Sequence, residues 1–362
     1  MQMMNTRSRT RIQARDVLNQ ERMGIKFVER TKADRFGLLK KREIRSTKWA
    51  CPTMINQLGI TNDFNLLCNR VGLLPFVLQD QPTYRRLTLE FLSTLEHTVR
   101  NYGDGEHEEG SDMITFQLMN KEYKLTLTQW CDHFGFVNNN SHTRVNSILV
   151  KPTTSYLFNK MSTRHDFPKG NVIECPAVRY LYYVIANTLQ ARGEFTRVNE
   201  EDILVLSKAA IPDCNVTPNL GAILVLYLKH QALQTRGVIA CGGVITVLAK
   251  ALHVNISSLM PLIGERRVGF STLNACGMVS KRKGRYFVHI PGAGRLYPTP
   301  LPNDLFSLEN GVLHYDAQVE QHQPSVEVPE KEDVVKPRRE GPEQEEQPHY
   351  TTFQDLYALS GK

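Results

Sequence analysis

The chain has 362 residues, of which 41% are hydrophobic and 22% are charged. Both fractions are typical of globular proteins, and a chain of this length accommodates one large domain or two ordinary ones. The net charge of +7 and the pI of about 9.0 permit contact with nucleic acid or with an anionic membrane without requiring either.

The cysteines argue against a disulfide-stabilised secreted protein. There are seven of them, an odd number, and no two are close in the sequence. They are Cys51, Cys68, Cys131, Cys175, Cys214, Cys241 and Cys276. No apolar run approaches the ~20 residues that a membrane span needs, and the Arg-rich stretch 6–15 is unlike a secretory signal. We therefore expect a soluble protein of the cytoplasm or the nucleus, with no membrane partner.

Composition divides the chain into five segments. The two ends are polar and opposite in charge, so both are expected to be disordered. In chain order, the segments are a basic head (1–23), an N-terminal helical lobe with a hairpin (24–137), a polar connecting loop (138–175), a C-terminal helical lobe with a helix-turn-helix-like region and a basic hairpin (176–298), and a mostly disordered acidic tail (299–362).

The first lobe is predicted to combine short helices with one hairpin. Apolar residues mixed with charges at 24–39 indicate an exposed helix or an ordered arm. Two alternating runs, 114–118 and 123–127, predict a β-hairpin. Thr126 and Gln129 then form a capping-box pair that predicts the start of a short helix. Apolar spacing and terminal Pro or Gly residues predict further helices at 52–58, 63–71 and 82–97.

The second lobe is predicted to be richer in helix. Helices are expected at 176–192, 200–210, 219–233, 242–254 and 256–263, and the third of these is the expected centre of the core. Strands are expected at 272–279 and 285–290, around a basic turn. These elements predict a mostly α fold of the α+β type, with helical lobes, two small β-hairpins and disordered N- and C-terminal tails.

The stretch 242–290 has two interpretations. Two short helices followed by a basic hairpin resemble a winged helix-turn-helix, whose second helix enters the major groove of DNA while the hairpin touches the backbone. On that hypothesis six cations contact phosphates: Arg266, Arg267, Lys281, Arg282, Lys283 and Arg285. On the other interpretation the helices belong to the core and the turn is only solvated.

A second basic cluster lies at 40–48. Short Lys/Arg clusters bind RNA phosphates or serve as nuclear signals, and the candidate contacts here are Lys40, Lys41, Arg42 and Arg45. The interspersed Glu43 and Ile44 favour an ordinary exposed helix instead.

No catalytic, cofactor or metal motif is recognisable in the sequence. It has no Cys-x-x-Cys pair and no Cys/His knuckle of the kind that binds zinc. The Gly-x-Gly at 292–294 leads into a Pro-rich loop, and the Gly pair at 242–243 lacks the Lys-Ser/Thr of a phosphate loop. We therefore predict that the protein is not an enzyme and that it has no catalytic residue, cofactor or metal.

Several short segments, in order along the chain, carry a family resemblance. They are 38–44, 58–60, 82–95, the hairpin with the following 134–136, 179–180, 186–189 and 192–194. These segments resemble the first open reading frame of Athila-type plant LTR retrotransposons, and the resemblance extends from about residue 24 to residue 298.

The resemblance implies a gag-region protein that assists particle assembly or packaging of element RNA. It brings no catalytic residues, and this chain lacks the Cys/His knuckle of a full retroviral-type Gag. The expected function is therefore that of a non-enzymatic, gag-like structural protein that associates with itself and binds RNA weakly. One alternative is a nuclear DNA-binding module that uses the winged-helix-like region at 242–290. The other is a functionless remnant of an inactive element.

Overall fold

A computed structural model describes most of the chain between residues 23 and 315. The described residues are 23–98, 112–138, 169–192, 196–211, 214, 217–291, 293–301, 306–307 and 314–315. All of them belong to one compact unit that spans residues 1–317, whereas the second unit, residues 318–362, is not described. Almost all of the predicted basic head and acidic tail, and most of the predicted connecting loop, lie outside the described residues.

The first part of the described chain contains helices and one antiparallel sheet. The helices are α1 (Arg30–Leu39), α2 (Pro52–Leu58), α3 (Thr61–Arg70), α4 (Leu74–Val77), α5 (Arg85–Thr94) and α6 (Leu127–Phe134). Between α5 and α6, β1 (Glu96–Thr98), β2 (Met113–Leu118) and β3 (Lys121–Thr126) pair in that order. The predicted hairpin is confirmed, and β1 adds a third strand to it.

The second part also combines helices with an antiparallel sheet. Its helices are α7 (Pro176–Val184), α8 (Glu200–Ala210), α9 (Leu220–Leu233), α10 (Gly242–Ala251) and α11 (Phe270–Ala275). A 3-10 turn (Gly170–Val172) precedes α7, and a π-helical turn (Ile185–Leu189) continues it. The strands β4 (Val279–Arg282), β5 (Arg285–His289) and β6 (Leu296–Pro298) form a second antiparallel sheet, and β7 (Phe306–Ser307) pairs with β8 (His314–Tyr315). The predicted fold class is confirmed.

Local sequence signals explain several helix ends. The Thr126 hydroxyl accepts the Gln129 N–H at 3.2 Å, and the Gln129 side chain accepts the Thr126 N–H at 3.0 Å, so the predicted capping box is confirmed. Asn219 caps α9 in a similar way, because its side-chain oxygen accepts the Ala222 N–H at 3.0 Å. Such caps satisfy N–H groups that have no partner within the helix.

Elements from both predicted lobes pack against each other. Helix α3 contacts α7 and α8, and α5 contacts α9, α10 and the first sheet. Trp130, which is fully buried in α6, donates its indole N–H to the Gly221 carbonyl of α9 at 3.1 Å. Within the described part of the chain, no helix has the length and apolar character needed to cross a membrane.

Two predicted elements of the second lobe are wrong. Residues 256–263 form no helix: the Asn255 side chain accepts the Ser257 N–H in a local turn, and Pro261 pairs instead with Tyr84 in an isolated β-bridge. Proline also disfavours a helical conformation at the residue before it.

The predicted strand at 272–279 is largely the helix α11. Gly277, at a φ of 68°, ends it, because the Met278 N–H returns to the Leu273 carbonyl at 2.9 Å. This is a glycine-dependent helix stop that the alternating apolar residues concealed.

The basic stretch 40–48 does not form the predicted exposed helix. It runs largely as an extended segment that forms backbone hydrogen bonds with Ile239. The Arg45 backbone N–H donates to the Ile239 carbonyl, and the Glu43 backbone carbonyl accepts the Ile239 N–H, both at 2.9 Å. Further along, the Trp49 N–H reaches the Arg266 carbonyl at 2.8 Å. The segment therefore bridges parts of the chain about 200 residues apart, and its backbone belongs to the core.

Candidate nucleic-acid interface

The β4–β5 hairpin presents the densest group of exposed cations in the described structure. Its two-residue turn is formed by Lys283 at a φ of 47° and Gly284 at a φ of 79°. Positive φ at both turn positions matches the twist of the flanking strands. Arg282 lies directly opposite Arg285 across the turn. Lys281, Arg282, Lys283 and Arg285 are all exposed.

These four charges have no carboxylate within salt-bridge distance among the described residues. Like charges placed directly opposite each other on a hairpin repel. An external anion would relieve that repulsion. Lys281 has a different neighbour, since its Nζ lies 5.0 Å from the centroid of the Tyr286 ring.

Arg266 and Arg267 are not free to contact phosphates in this way, because both face Asp80. Arg267 donates to Asp80 Oδ2 at 2.8 Å and to the Ala50 carbonyl at 2.6 Å. Arg266 Nε lies 3.6 Å from Asp80 Oδ1. The sequence does not reveal this neutralisation, since Asp80 is distant along the chain.

Arg42 was predicted to contact a phosphate, but the structure places its side chain in the interior. Its side chain is buried, and the guanidinium donates to the Gln231 carbonyl at 2.7 Å, the Gln234 carbonyl at 3.0 Å and the Gly237 carbonyl at 3.1 Å. Burial lowers the pKa of this guanidinium. Arg42 therefore holds the C-terminal end of α9 and the turn after it, and it cannot reach a phosphate.

The remaining predicted contacts follow α1. Arg45 is exposed, but its guanidinium donates two hydrogen bonds to the Glu43 carboxylate, from Nε at 2.8 Å and from Nη2 at 3.0 Å. Lys40 and Lys41 are exposed. Of the ten predicted contacts, the structure thus joins four in the hairpin, leaves two lysines in solvent, pairs three with carboxylates and buries one.

The second helix that the winged-helix interpretation requires is not formed. Residues 257–263 are turn and extended chain, and Met260 and Ile263 are 87% and 104% exposed. A recognition helix for the major groove is therefore absent from this described segment. The helix that directly precedes the basic hairpin is α11 and not the predicted one.

The segments that carry the family resemblance have structural roles. The Tyr180 hydroxyl accepts the Cys51 N–H and donates to the Val268 carbonyl, both at 2.9 Å. The Thr188 hydroxyl donates to the Lys48 carbonyl at 2.5 Å, and Arg192 pairs with the buried Asp202 at 2.8 Å. These residues connect distant parts of the core.

The buried thiols are poorly suited to nucleophilic chemistry. Burial raises the pKa of Cys131 and Cys175 to about 11 and that of Cys241 to about 12. A thiol with such a pKa stays protonated near neutral pH. No group of three or more His, Cys, Asp or Glu residues among those described is placed to hold a metal ion.

Tyr286 was not among the predicted contact residues. It follows Arg285 in β5, it lies opposite Lys281, and its side chain is 40% exposed. An aromatic residue next to a basic turn was the available signal, because aromatic and basic side chains together are typical of single-strand nucleic-acid sites.

These observations define a mostly helical α+β protein with an exposed basic hairpin. The family model of the ATHILA ORF-1 family matches residues 13–211, which is more than half of the chain, so the protein belongs to the ATHILA ORF-1 family. It is thus a retrotransposon-associated protein. No curated protein and no solved structure matches it. The match ends before α9, earlier than the resemblance to residue 298 suggested, and the basic hairpin lies beyond it.

Proposed function

We propose that this chain is a non-enzymatic, gag-like structural protein that associates with itself and binds RNA through the β4–β5 hairpin. One observation carries the RNA-binding part. Four exposed cations, Lys281, Arg282, Lys283 and Arg285, surround one tight turn without a carboxylate partner in the described part of the chain. Phosphate oxygens supply the missing counter-charge.

Such binding is expected to be electrostatic, weak and independent of sequence. Each phosphate neutralised on a single strand contributes about 0.7 to the slope of log affinity against log salt. Four contacts would therefore weaken binding by roughly 50-fold between about 50 mM and 200 mM salt. Residues 257–263 form no helix, so this segment offers no recognition helix for the major groove of duplex DNA.

A charge-matched pair of variants tests this proposal. The first is the fourfold change K281Q/R282Q/K283Q/R285Q, and the control is K26Q/R30Q/K121Q/K124Q, which removes four other exposed cations. RNA affinity is measured over a salt series by fluorescence anisotropy. We expect the first variant to lose most of its affinity and its salt slope, and the control to change little. Equal losses in both variants would mean that net charge alone, and not the hairpin, attracts RNA.

Self-association is supported by an exposed apolar segment at 256–263. Met260 and Ile263 are 87% and 104% exposed, and the segment is attached to the core through the Leu262 N–H, which donates to the Thr83 carbonyl at 2.8 Å. Contiguous exposed apolar surface marks association sites, whereas single exposed apolar residues are common on any protein. We propose a second copy of this chain as the occupant.

Light scattering with and without RNA tests this second part. We expect the wild-type chain to form assemblies that RNA enlarges, and M260E/I263E to be smaller at equal concentration. L38E, which adds a charge at another half-exposed apolar residue, is the control. A wild-type chain that is monomeric and indifferent to RNA would overturn both parts and leave the functionless-remnant alternative standing.

A further inference from the structure

We propose that the Tyr286 ring stacks on an unpaired base, so that the hairpin binds single-stranded RNA in preference to duplex RNA. This inference rests on the proposed RNA binding and specifies the form of RNA that the site takes.

The ring of Tyr286 is held in position while part of the residue stays open to solvent. The residue is 40% exposed, and Lys281 Nζ lies 5.0 Å from the ring centroid. The Phe270 ring contacts it at a centroid distance of 5.2 Å and an angle of 71°, and Lys281 lies opposite it in the strand register. The Tyr286 carbonyl also accepts the Thr299 N–H at 3.2 Å. An aromatic ring that is both exposed and positioned in this way loses little freedom when a base stacks on it.

The other hairpin provides an internal comparison. In the β2–β3 hairpin, Lys121 Nζ also lies 5.0 Å from the centroid of a tyrosine ring, that of Tyr123. There, however, the ring is stacked on the core residue Phe116 at 5.7 Å and 12°, and Lys124 is paired with Glu122 at 3.4 Å. The tyrosine ring is thus stacked on a core aromatic ring in one hairpin and exposed in the other, and Lys124 has a carboxylate partner that none of the four cations around Tyr286 has among the described residues.

The surrounding charges complete a site for a flexible strand. Lys281 shares a face of the hairpin with Tyr286, and Arg282 and Arg285 flank the turn on the other face. In a single strand, a base can turn towards the ring while neighbouring phosphates contact the cations. In an A-form duplex the bases are stacked on one another, so only the phosphates are available.

Three substitutions in the full-length chain separate stacking from charge. Y286L removes the aromatic face, Y286F keeps it, and Y286W adds a fluorescent reporter. The native residues Trp49 and Trp130 are fully buried, so base quenching would report on the new indole. The probes are an oligoadenylate of about 12 nucleotides and an RNA duplex of similar length, at about 50 mM salt.

We expect wild-type protein to bind the single strand more tightly than the duplex. Y286L should lose about tenfold in single-strand affinity while its duplex affinity stays unchanged, and Y286F should behave as wild type. The fluorescence of Y286W should be quenched by the single strand. Equal affinity for both probes, with no loss in Y286L, would overturn this inference and leave the proposed RNA binding intact. If wild-type protein binds neither probe, both proposals fail.

Discussion

Glu90 and Asn120 are joined by a hydrogen bond that fixes the turn of the β2–β3 hairpin against helix α5. The Glu90 carboxylate is fully buried, and it accepts the Asn120 N–H at 2.5 Å and the Met119 N–H at 2.9 Å. Both turn residues have positive φ, of 64° and 52° respectively. The side chain of a helix thus satisfies the two backbone groups of a strained turn.

We predict that Glu90→Ala lowers the free energy of unfolding by about 1–3 kcal/mol, because two N–H groups lose their acceptor. Urea unfolding followed by circular dichroism measures the loss. Glu122→Ala, an exposed change in the same hairpin, should stay within about 0.5 kcal/mol of wild type. A loss equal to that of the control would mean that water replaces the carboxylate.

The carboxyl of Glu201 makes stability depend on pH. Burial, reinforced by Asp202 and Glu200, raises its pKa from 4.5 to about 7, although the Tyr227 hydroxyl donates to it at 3.2 Å. Folding therefore favours the protonated form. The stabilisation that this group contributes is complete below about pH 4.5 and disappears as the pH rises to about 7.

Glu201→Gln imitates the protonated carboxyl at every pH. We expect its stability advantage over wild type to grow from pH 5 to pH 7.5 and then to level off at about 3 kcal/mol. Parallel urea titrations of the two proteins across this range measure the difference. A difference that does not vary with pH would show that the carboxyl titrates normally.

The glycine pair at the start of α10 is required by close packing and not by a phosphate. A Cβ added to Gly243 would lie 2.8 Å from the Gln81 carbonyl oxygen and 2.9 Å from the Cβ of Thr47. Because one of these atoms is backbone, we predict that Gly243→Ala destabilises the fold by about 2 kcal/mol. Gly37 in α1 has no atom within 4 Å of an added Cβ, so Gly37→Ala should stabilise by about 0.5–1 kcal/mol. Thermal unfolding measures both effects, and the Tm is expected to fall for Gly243→Ala and to rise for Gly37→Ala.

Arg42 and Arg45 are close in the sequence but differ in role. Arg42→Ala leaves three carbonyl groups without a donor, so we expect a loss of about 3 kcal/mol or more in unfolding free energy. Arg45→Ala breaks only an exposed pair with Glu43 and should cost less than about 1 kcal/mol. Urea unfolding gives both values. The RNA affinity of folded Arg42→Lys, which keeps the charge, should match that of wild type when it is measured by fluorescence anisotropy. A large loss of affinity would indicate that Arg42 does contact RNA.

Elements with local causes were predictable from the sequence. The capping box of Thr126 and Gln129 and the β2–β3 alternation both act over a few residues, and the structure confirms them. The two wrong elements had local signals too, in Pro261 and Gly277, but the apolar pattern masked them. A pattern of apolar residues records burial and not the conformation that achieves it.

The mostly helical α+β class, the family segments and the basic turn could all be predicted from the residues alone. Which cations are free could not, because it depends on how the chain packs. Arg42 is buried by carbonyls about 190 residues away, and Arg267 is paired with Asp80, 187 residues earlier. The physical reason is that a charged side chain can bind an external ligand only when no hydrogen-bond or ion-pair partner within the protein lies near it. For a long side chain, that partner is set by packing and not by neighbours in the sequence.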